Sequence, residues 1–199
     1  MAMKAEAKHA HDALLPFWDL LQERQANWST HDINSIVLSV VAASGLNTTG
    51  NCVKVTLQLD HGDTGVWCDE ERMRQVFVNL VANALHAMPK EGFLAISTRV
   101  VEDMVEFRLA DTGVGIPLEY LGKVFDLFFT SKPKESGSGL GLASSRRTVE
   151  RHQGTISVDS EARKGTTVVI RLPVQPKDEV IAQSQTRQSD TGEDVARIP

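Results

Sequence analysis

The sequence of 199 residues predicts an α+β fold: a two-layer α/β sandwich with a mixed sheet of about five strands and three helices on one face. Three observations predict it. Apolar residues recur at three- and four-residue spacing in separate segments, the period of helices buried along one side. Between these segments, apolar and polar residues alternate over short runs, the period of strands with one covered face. The segments follow in the order helix, strands, helix, strands, helix, strands, so both kinds of element contribute to a single core.

Taken in order, Met3 to Gln25 is rich in Ala, Leu, Lys and Glu, and Ala7, Ala10, Leu14, Phe17 and Leu21 mark one amphipathic helix interrupted by Pro16. Ser29-Thr30-His31-Asp32 precedes Ile33, Ile36, Val37, Val40 and Val41, so Thr30 or Asp32 caps a second helix ending near Gly45. Asn47 to Asn51 is a polar loop. Val53 to Leu59 alternates apolar and polar residues as a half-buried strand, and Gly65 to Cys68 forms a short one. Asp69 caps the longest helix, whose stripe of Met73, Val76, Phe77, Leu80, Val81 and Leu85 runs to Met88 and the terminating Pro89.

Phe93 to Val101 and Met104 to Ala110 are a hairpin joined at Glu102-Asp103. Asp111 to Pro117 is loop, Leu118 to Phe125 a short helix, and Thr130 to Gly139 a polar, mobile segment. Leu140 to His152 has helical period and closes at Gly154, and strands follow at Thr155 to Val158 and Thr166 to Leu172. Past Pro173 the apolar pattern stops and no aromatic residue occurs, the composition of a disordered tail. The expected division is therefore 1–28 for an N-terminal helix, 29–173 for the folded domain and 174–199 for the tail.

With 41% apolar residues the chain can bury a real core. The formal charge of −5 argues against nucleic acid or an anionic membrane as the main partner, because an acidic surface gains nothing by releasing their counterions. No stretch reaches the roughly 18 apolar residues that a membrane helix needs, and the N-terminus lacks a signal-peptide core, so a cytoplasmic location is expected. Cys52 and Cys68 each stand alone in strand-like surroundings. That spacing argues against a zinc site and a disulfide framework, and both cysteines are expected to be buried free thiols.

Four short motifs carry the chemistry. Asn79 and Asn83 lie one turn apart on the central helix among apolar neighbours; they are either surface residues or a pair of amides with something polar to hold. Asp111-Thr112-Gly113-Val114-Gly115-Ile116-Pro117 follows an apolar strand. Its carboxylate can accept from an exocyclic amine such as adenine's while glycines admit a close ring, or the run is an ordinary turn. Phe125, Phe128 and Phe129 run into Thr130-Ser131-Lys132, as core residues or as the hinge of a lid with Lys132 near phosphates. Gly137-Ser138-Gly139-Leu140-Gly141-Leu142 opens a helix, where free N–H groups and the helix dipole favour a polyphosphate. No Gly-Lys-Ser/Thr follows, as a Walker loop requires, and no strand precedes, as a dinucleotide fingerprint requires.

In order and on these elements, the four motifs resemble the N, G1, F and G2 boxes of the catalytic domain of bacterial sensor histidine kinases, within the wider family of gyrase, HSP90 and MutL. The resemblance covers about 32–173 and includes Asp69 to Val76 at the entry to the central helix and Gly165-Thr166 before the last strand. It implies the Bergerat-type ATP-binding fold, with ATP and Mg²⁺ as cofactors and a flexible lid over Thr130 to Ser138. Asn83 matches the Mg²⁺ ligand and Asp111 the adenine-binding acid. Gly113, Gly115 and Ile116 fall at the purine pocket, Thr166 on its floor, and Phe128 and Lys132 at the lid. Gly137, Gly139, Leu140 and Gly141 fall at the phosphates.

Asn79 stands where hydrolysing relatives carry a water-activating Glu; an amide cannot serve as that base, which favours transfer to a protein nucleophile. His86 and Ala87 replace the Lys and Tyr of many kinases, His86 remaining a nucleotide contact by position, and Leu127 replaces an F-box Pro. The implied activity is transfer of the ATP γ-phosphate to a histidine, then to a response-regulator receiver domain. His11 fits the spacing of the phosphoacceptor box, His11-Asp12-Ala13-Leu14-Leu15-Pro16, but only one helix fits before the domain. His11 is thus read as a surface residue and kept as a candidate acceptor, the acceptor histidine domain otherwise lying in cis or in trans. A homodimer through the N-terminal helix is also allowed. Two alternatives stay open, an ATP-binding regulator without kinase activity and an anti-sigma-type serine kinase.

Overall fold

The computed structural model describes residues 26–44, 52–130 and 138–174. His11, Lys132 and Gly137 lie outside the described residues, as do most of the expected N-terminal helix, the centre of the expected lid and residues 175–199 of the expected tail.

Trp28–Asp32 (β1) leads into Ile33–Ala43 (α1), followed by Cys52–Gln58 (β2) and Gly65–Asp69 (β3). Glu70–Ala87 (α2) is the longest helix. Glu91–Val101 (β4), Met104–Asp111 (β5), the single turn Leu118–Leu121 (α3), Gly141–Arg151 (α4), Thr155–Glu161 (β6) and Gly165–Pro173 (β7) complete the domain. Five strands form the main sheet in the order β2-β4-β5-β7-β6. Only β2 and β4 run parallel, so the sheet is mixed as expected.

Local chemistry accounts for most boundaries. Asp32 accepts from Asn34 N–H and Ser35 N–H and so caps α1. Asp69 accepts from Arg72 N–H and caps α2, with Glu70 and Glu71 in the first turn favoured by the helix dipole. Val101 pairs with Met104 across a two-residue turn in which Glu102 takes φ 57°, so β4 and β5 form the tight hairpin. The helix expected over Leu118 to Phe125 stops at Leu121. Beyond it, Lys123 N–H bonds to Tyr120 O and Asp126 N–H to Lys123 O, three residues back, which is turn rather than α-helix.

One side of the sheet supplies the core. Leu94 and Ile96 of β4, Val105, Phe107 and Leu109 of β5, and Val168, Ile170 and Leu172 of β7 are buried on the alternating positions that face the helices. They meet Ile33, Ile36, Val37 and Val40 of α1, Met73, Val76, Phe77 and Leu80 of α2, and Val149 of α4. Phe77 and Phe107 lie at its centre, their rings 4.6 Å apart.

Two expectations are corrected. Trp28 to Asp32 forms strand β1, paired antiparallel with β3 in a separate two-stranded ribbon, so the folded domain begins before residue 29 and Trp28 does not belong to an N-terminal helix. Pairing with a segment far along the chain, rather than any local alternation, makes it a strand. Cys52 is exposed, since it begins the strand at the edge of the main sheet; Cys68 alone is buried, and burial pushes its thiol up to about 12.

His152, which has no motif context in the sequence, is buried at the C-terminal end of α4. Its Nε2 accepts Asp69 N–H at 3.0 Å, so Nδ1 carries the proton that Thr148 O accepts at 2.7 Å. Trp28 packs against the ring at a tilt of 43°, the centroids 4.6 Å apart. One neutral imidazole thus ties α4 to the start of α2 and to β1. Burial is the main reason its pKa lies below the ordinary value, with the Thr148 bond and Asp69 opposing. A depressed histidine contributes stability that is complete above its unfolded pKa and is lost as pH falls below it. Denaturant titrations from pH 8 down to pH 5 should show stability dropping by up to about 1.4 kcal/mol per pH unit below roughly pH 6.5. His152→Asn should flatten that slope; an unchanged slope would place the acid sensitivity elsewhere.

Candidate functional site

The site is built between the N-terminus of α4 and the loop after β5, with α2 running beneath both. α1 and α2 carry aspartate caps, whereas α4 begins at Leu140, which has no side chain able to cap it. Leu140 N–H lies 3.4 Å from Ser138 Oγ, and among the described residues no side chain caps the N–H groups that follow, where the dipole adds partial positive charge that favours an anion. Gly141 lies against Asn79 of α2, whose Nδ2 is 3.5 Å from Gly141 O. Asn79 Oδ1 also accepts from Gln75 Nε2 at 3.3 Å. Asn83 sits one turn further along α2, partly buried on the same side.

The C-terminal end of α2 meets the Asp111 loop. Val114 N–H bonds to Ala87 O at 3.1 Å, and a Cβ on Gly113 would come within 2.6 Å of the Ala87 side chain. Gly115, at φ 64°, passes so close to the β6–β7 turn that a Cβ would lie 2.1 Å from Glu161 O. The need for glycine at these two places thus arises from protein packing among the described residues. His86, on the last turn of α2, is exposed, with Nδ1 2.6 Å from Ala82 O.

Asp111 is the buried acid of the site, 8% exposed. Its Oδ1 accepts Gly113 N–H at 2.8 Å. Burial raises its pKa, opposed by the N–H groups of Gly113 and Thr166. The carboxylate is held in one orientation with acceptor capacity remaining beyond the Gly113 bond. Thr166 is its partner across β5 and β7, so both side chains project from one face of the sheet. Ile116 N–H bonds to Ser160 Oγ at 2.8 Å. Ser160 carried no motif signal in the sequence, because its only mark is its position on β6.

The Phe segment lies against the start of α4. Phe128 N–H bonds to Gly139 O at 3.0 Å, with both residues at positive φ, and the Arg146 guanidinium lies 5.3 Å from the Phe125 ring centroid. None of the three phenylalanines is fully buried, and Phe128 is 64% exposed. Leu140 is buried beneath the turn. Tertiary contacts therefore unite Asn79, Gly139, Leu140 and Gly141 at the middle of α2, and Asp111, Gly113, Gly115, Ile116 and Thr166 near its C-terminal end.

Among the described residues, no three His, Cys, Asp or Glu side chains come together as a metal cage. A divalent cation here would depend on amide oxygens together with oxygens of a bound phosphate ligand, a mode that suits Mg²⁺.

Comparison with known proteins agrees with this architecture. The family described as histidine kinase-, DNA gyrase B-, and HSP90-like ATPase matches residues 68–176. Sporulation kinase E of Bacillus subtilis is 32% identical over 174 residues, 86% of this chain and 23% of that protein. This chain thus spans about a quarter of the length of that relative. The nucleotide-free catalytic domain of histidine kinase ThkA superposes with a TM-score of 0.66 at 26% identity, covering 75% of this chain and 97% of that one. Histidine kinase ThkA in complex with response regulator protein TrrA shares the fold, with a TM-score of 0.73 at 23% identity over 89% of this chain and 51% of that one.

Proposed function

Because this chain belongs to the histidine kinase-, DNA gyrase B- and HSP90-like ATPase family, we propose that it is the ATP-binding catalytic part of a two-component sensor histidine kinase, passing the γ-phosphate of ATP to a histidine and thence to a response-regulator receiver domain. The observation that carries this reading is the placement along α2. Asn79 meets the uncapped start of α4, and eight residues later Ala87 meets the Asp111 loop, a separation of about 12 Å along the helix axis. A base held at Asp111 and phosphates held at α4 are the two ends of one nucleotide.

Asp111 accepts the amine of adenine, and Gly113, Gly115, Ile116 and Thr166 shape the base site. Leu140, Gly141 and Gly139 position the N–H groups that receive the phosphates. Asn83 offers its amide oxygen to Mg²⁺, which when bound supplies charge neutralisation between the phosphates. Asn79, an amide engaged with Gly141 O, cannot serve as a base for water at this position, which favours transfer of the γ-phosphate to a protein nucleophile. Phe128 flanks the phosphate end, with His86, Lys132 and Gly137 assigned to the nucleotide from sequence. The acceptor histidine, with His11 as one candidate, a dimer through the N-terminal segment and the end of the catalytic domain near 173 belong to the same proposal. No helix among the described residues is long and apolar enough to cross a membrane. A cytoplasmic setting, where ATP and receiver domains are found together, is part of the proposal.

The test is incubation with γ-labelled ATP and a histidine-bearing helical hairpin domain. Label that is lost in acid supports the reading. Acid-stable label on serine would make the protein a serine kinase, and ATP binding without label on any partner would leave it a nucleotide-dependent regulator. A variant isolates the phosphate end. An added Cβ on Gly141 would meet Asn79 only at 3.7–3.9 Å, an ordinary contact. Gly141→Ala should leave the thermal midpoint within a degree or two of wild type, yet weaken ATP binding by about tenfold, since a methyl group would stand among the donors. AMP affinity should change little; equal losses for AMP and ATP would move the phosphates away from α4.

A further inference from the structure

Three side chains form one row across the edge of the sheet. Ser160 of β6 pairs with Thr166 of β7, and Thr166 pairs with Asp111 of β5, so all three project from the same face. Ser160 Oγ lies 2.7 Å from Gly165 O, 2.8 Å from Ile116 N and 3.0 Å from Thr166 Oγ1.

Counting hydrogens fixes the direction of each bond. A serine hydroxyl has one proton and two lone pairs. Gly165 O can only accept, so it takes the Ser160 proton. Ile116 N–H can only donate, so it fills one lone pair. The remaining contact must then be donated by Thr166, whose hydroxyl proton fills the second lone pair. Ser160 is saturated, and Thr166 is left with no proton to offer and two lone pairs to present.

We infer that Ser160 is a positioning residue that fixes the polarity of Thr166, so that Asp111 and Thr166 together present only acceptors to the edge of the bound base and select a 6-amino purine over a 6-oxo one. This rests on the proposal that the base binds at Asp111. A 6-amino group brings two hydrogens to this row of acceptors; a 6-oxo group brings lone pairs against them. Without Ser160 the Thr166 hydroxyl is free to rotate and donate to a 6-oxo oxygen. Ser160 also holds Ile116, so its loss should weaken both kinds of nucleotide, and only the ratio between them reports polarity.

The experiment measures affinities of ATP and inosine triphosphate, which carries the 6-oxo group, for the whole chain. Wild type should prefer ATP. In Ser160→Ala the preference should narrow about three- to tenfold, the worth of one net hydrogen bond, with Ser160→Thr restoring it. Thr166→Val, which removes the hydroxyl itself, should narrow the preference as well, and adding Ser160→Ala to it should narrow it no further. Should Ser160→Ala not fold, the Thr166→Val ratio alone decides. Equal losses for the two nucleotides in every variant would overturn the inference while leaving the base site intact. Wild type that binds neither nucleotide would instead overturn the base site, and this inference with it.

Discussion

Asp111→Asn is expected to weaken ATP binding by about a hundredfold or more while leaving the thermal midpoint of the nucleotide-free protein nearly unchanged. The carboxylate uses Oδ1 on Gly113 N–H and is also approached by Thr166 N–H, and the proposed amine of adenine takes acceptor capacity that remains. An asparagine can keep the Gly113 bond through its one oxygen, but it then turns an NH₂ toward another NH₂ in a site with little water. Two buried donors facing each other lose the bond and leave both unpaired, which is why polar sites reject the wrong partner far more strongly than apolar ones do. Fold stability should not follow. Burial already disfavours the charged form of Asp111, so a neutral amide removes a desolvation cost that offsets the hydrogen bonding it weakens. Isothermal titration beside a thermal scan separates the two effects, and an unchanged affinity would place the base elsewhere. The same raised pKa gives a pH dependence. Protonation removes an acceptor, so affinity should fall with decreasing pH, beginning above the ordinary carboxylate range.

Gly165→Ala should do the reverse and strike the fold first. Gly165 opens β7 at φ 112°, where a side chain is strained, and an added Cβ would stand 1.9 Å from Asp111 O. Backbone oxygen on a central strand cannot move aside without disturbing the β5–β7 ladder. A conformational cost of about 1–3 kcal/mol adds to the repulsion, and together they remove a large part of the roughly 5–15 kcal/mol that holds such a domain folded. Urea denaturation should show a loss of about 3 kcal/mol or more. Nucleotide affinity should fall with it, because the displaced strand carries Asp111 and Gly165 O anchors Ser160. An alanine variant of wild-type stability would mean that the turn relaxes freely.

The two variants therefore separate the chemistry of the site from its scaffold, and they also mark what could be read from sequence. Asp111 is legible because a carboxylate followed by two glycines after an apolar strand is a local pattern with a chemical use. α2 is legible for a similar reason, since Asp69, the stripe from Met73 to Leu85 and the stop at Pro89 obey rules spanning only a few residues. The hairpin at Glu102-Asp103 and the uncapped start of α4 fall in the same class. The exposure of Phe128 was not legible, because core and hinge readings predict the same residues and only packing separates them.

Sequence by itself thus determined the order of elements, their approximate limits and the residue types available for a nucleotide. Local periodicity and capping depend on near neighbours, and near neighbours are what a sequence displays. Tertiary structure alone decided that Trp28 to Asp32 is a strand, since its partner β3 lies far along the chain, and that Cys52 stands exposed at a sheet edge. It alone showed His152 as a neutral joint between α4, α2 and β1. It also set the direction of the Thr166 hydroxyl, because the polarity of a hydrogen bond follows from counting every donor and acceptor in contact. Those contacts come from Gly165, Ile116 and Ser160, which adjoin only after β5, β6 and β7 have paired.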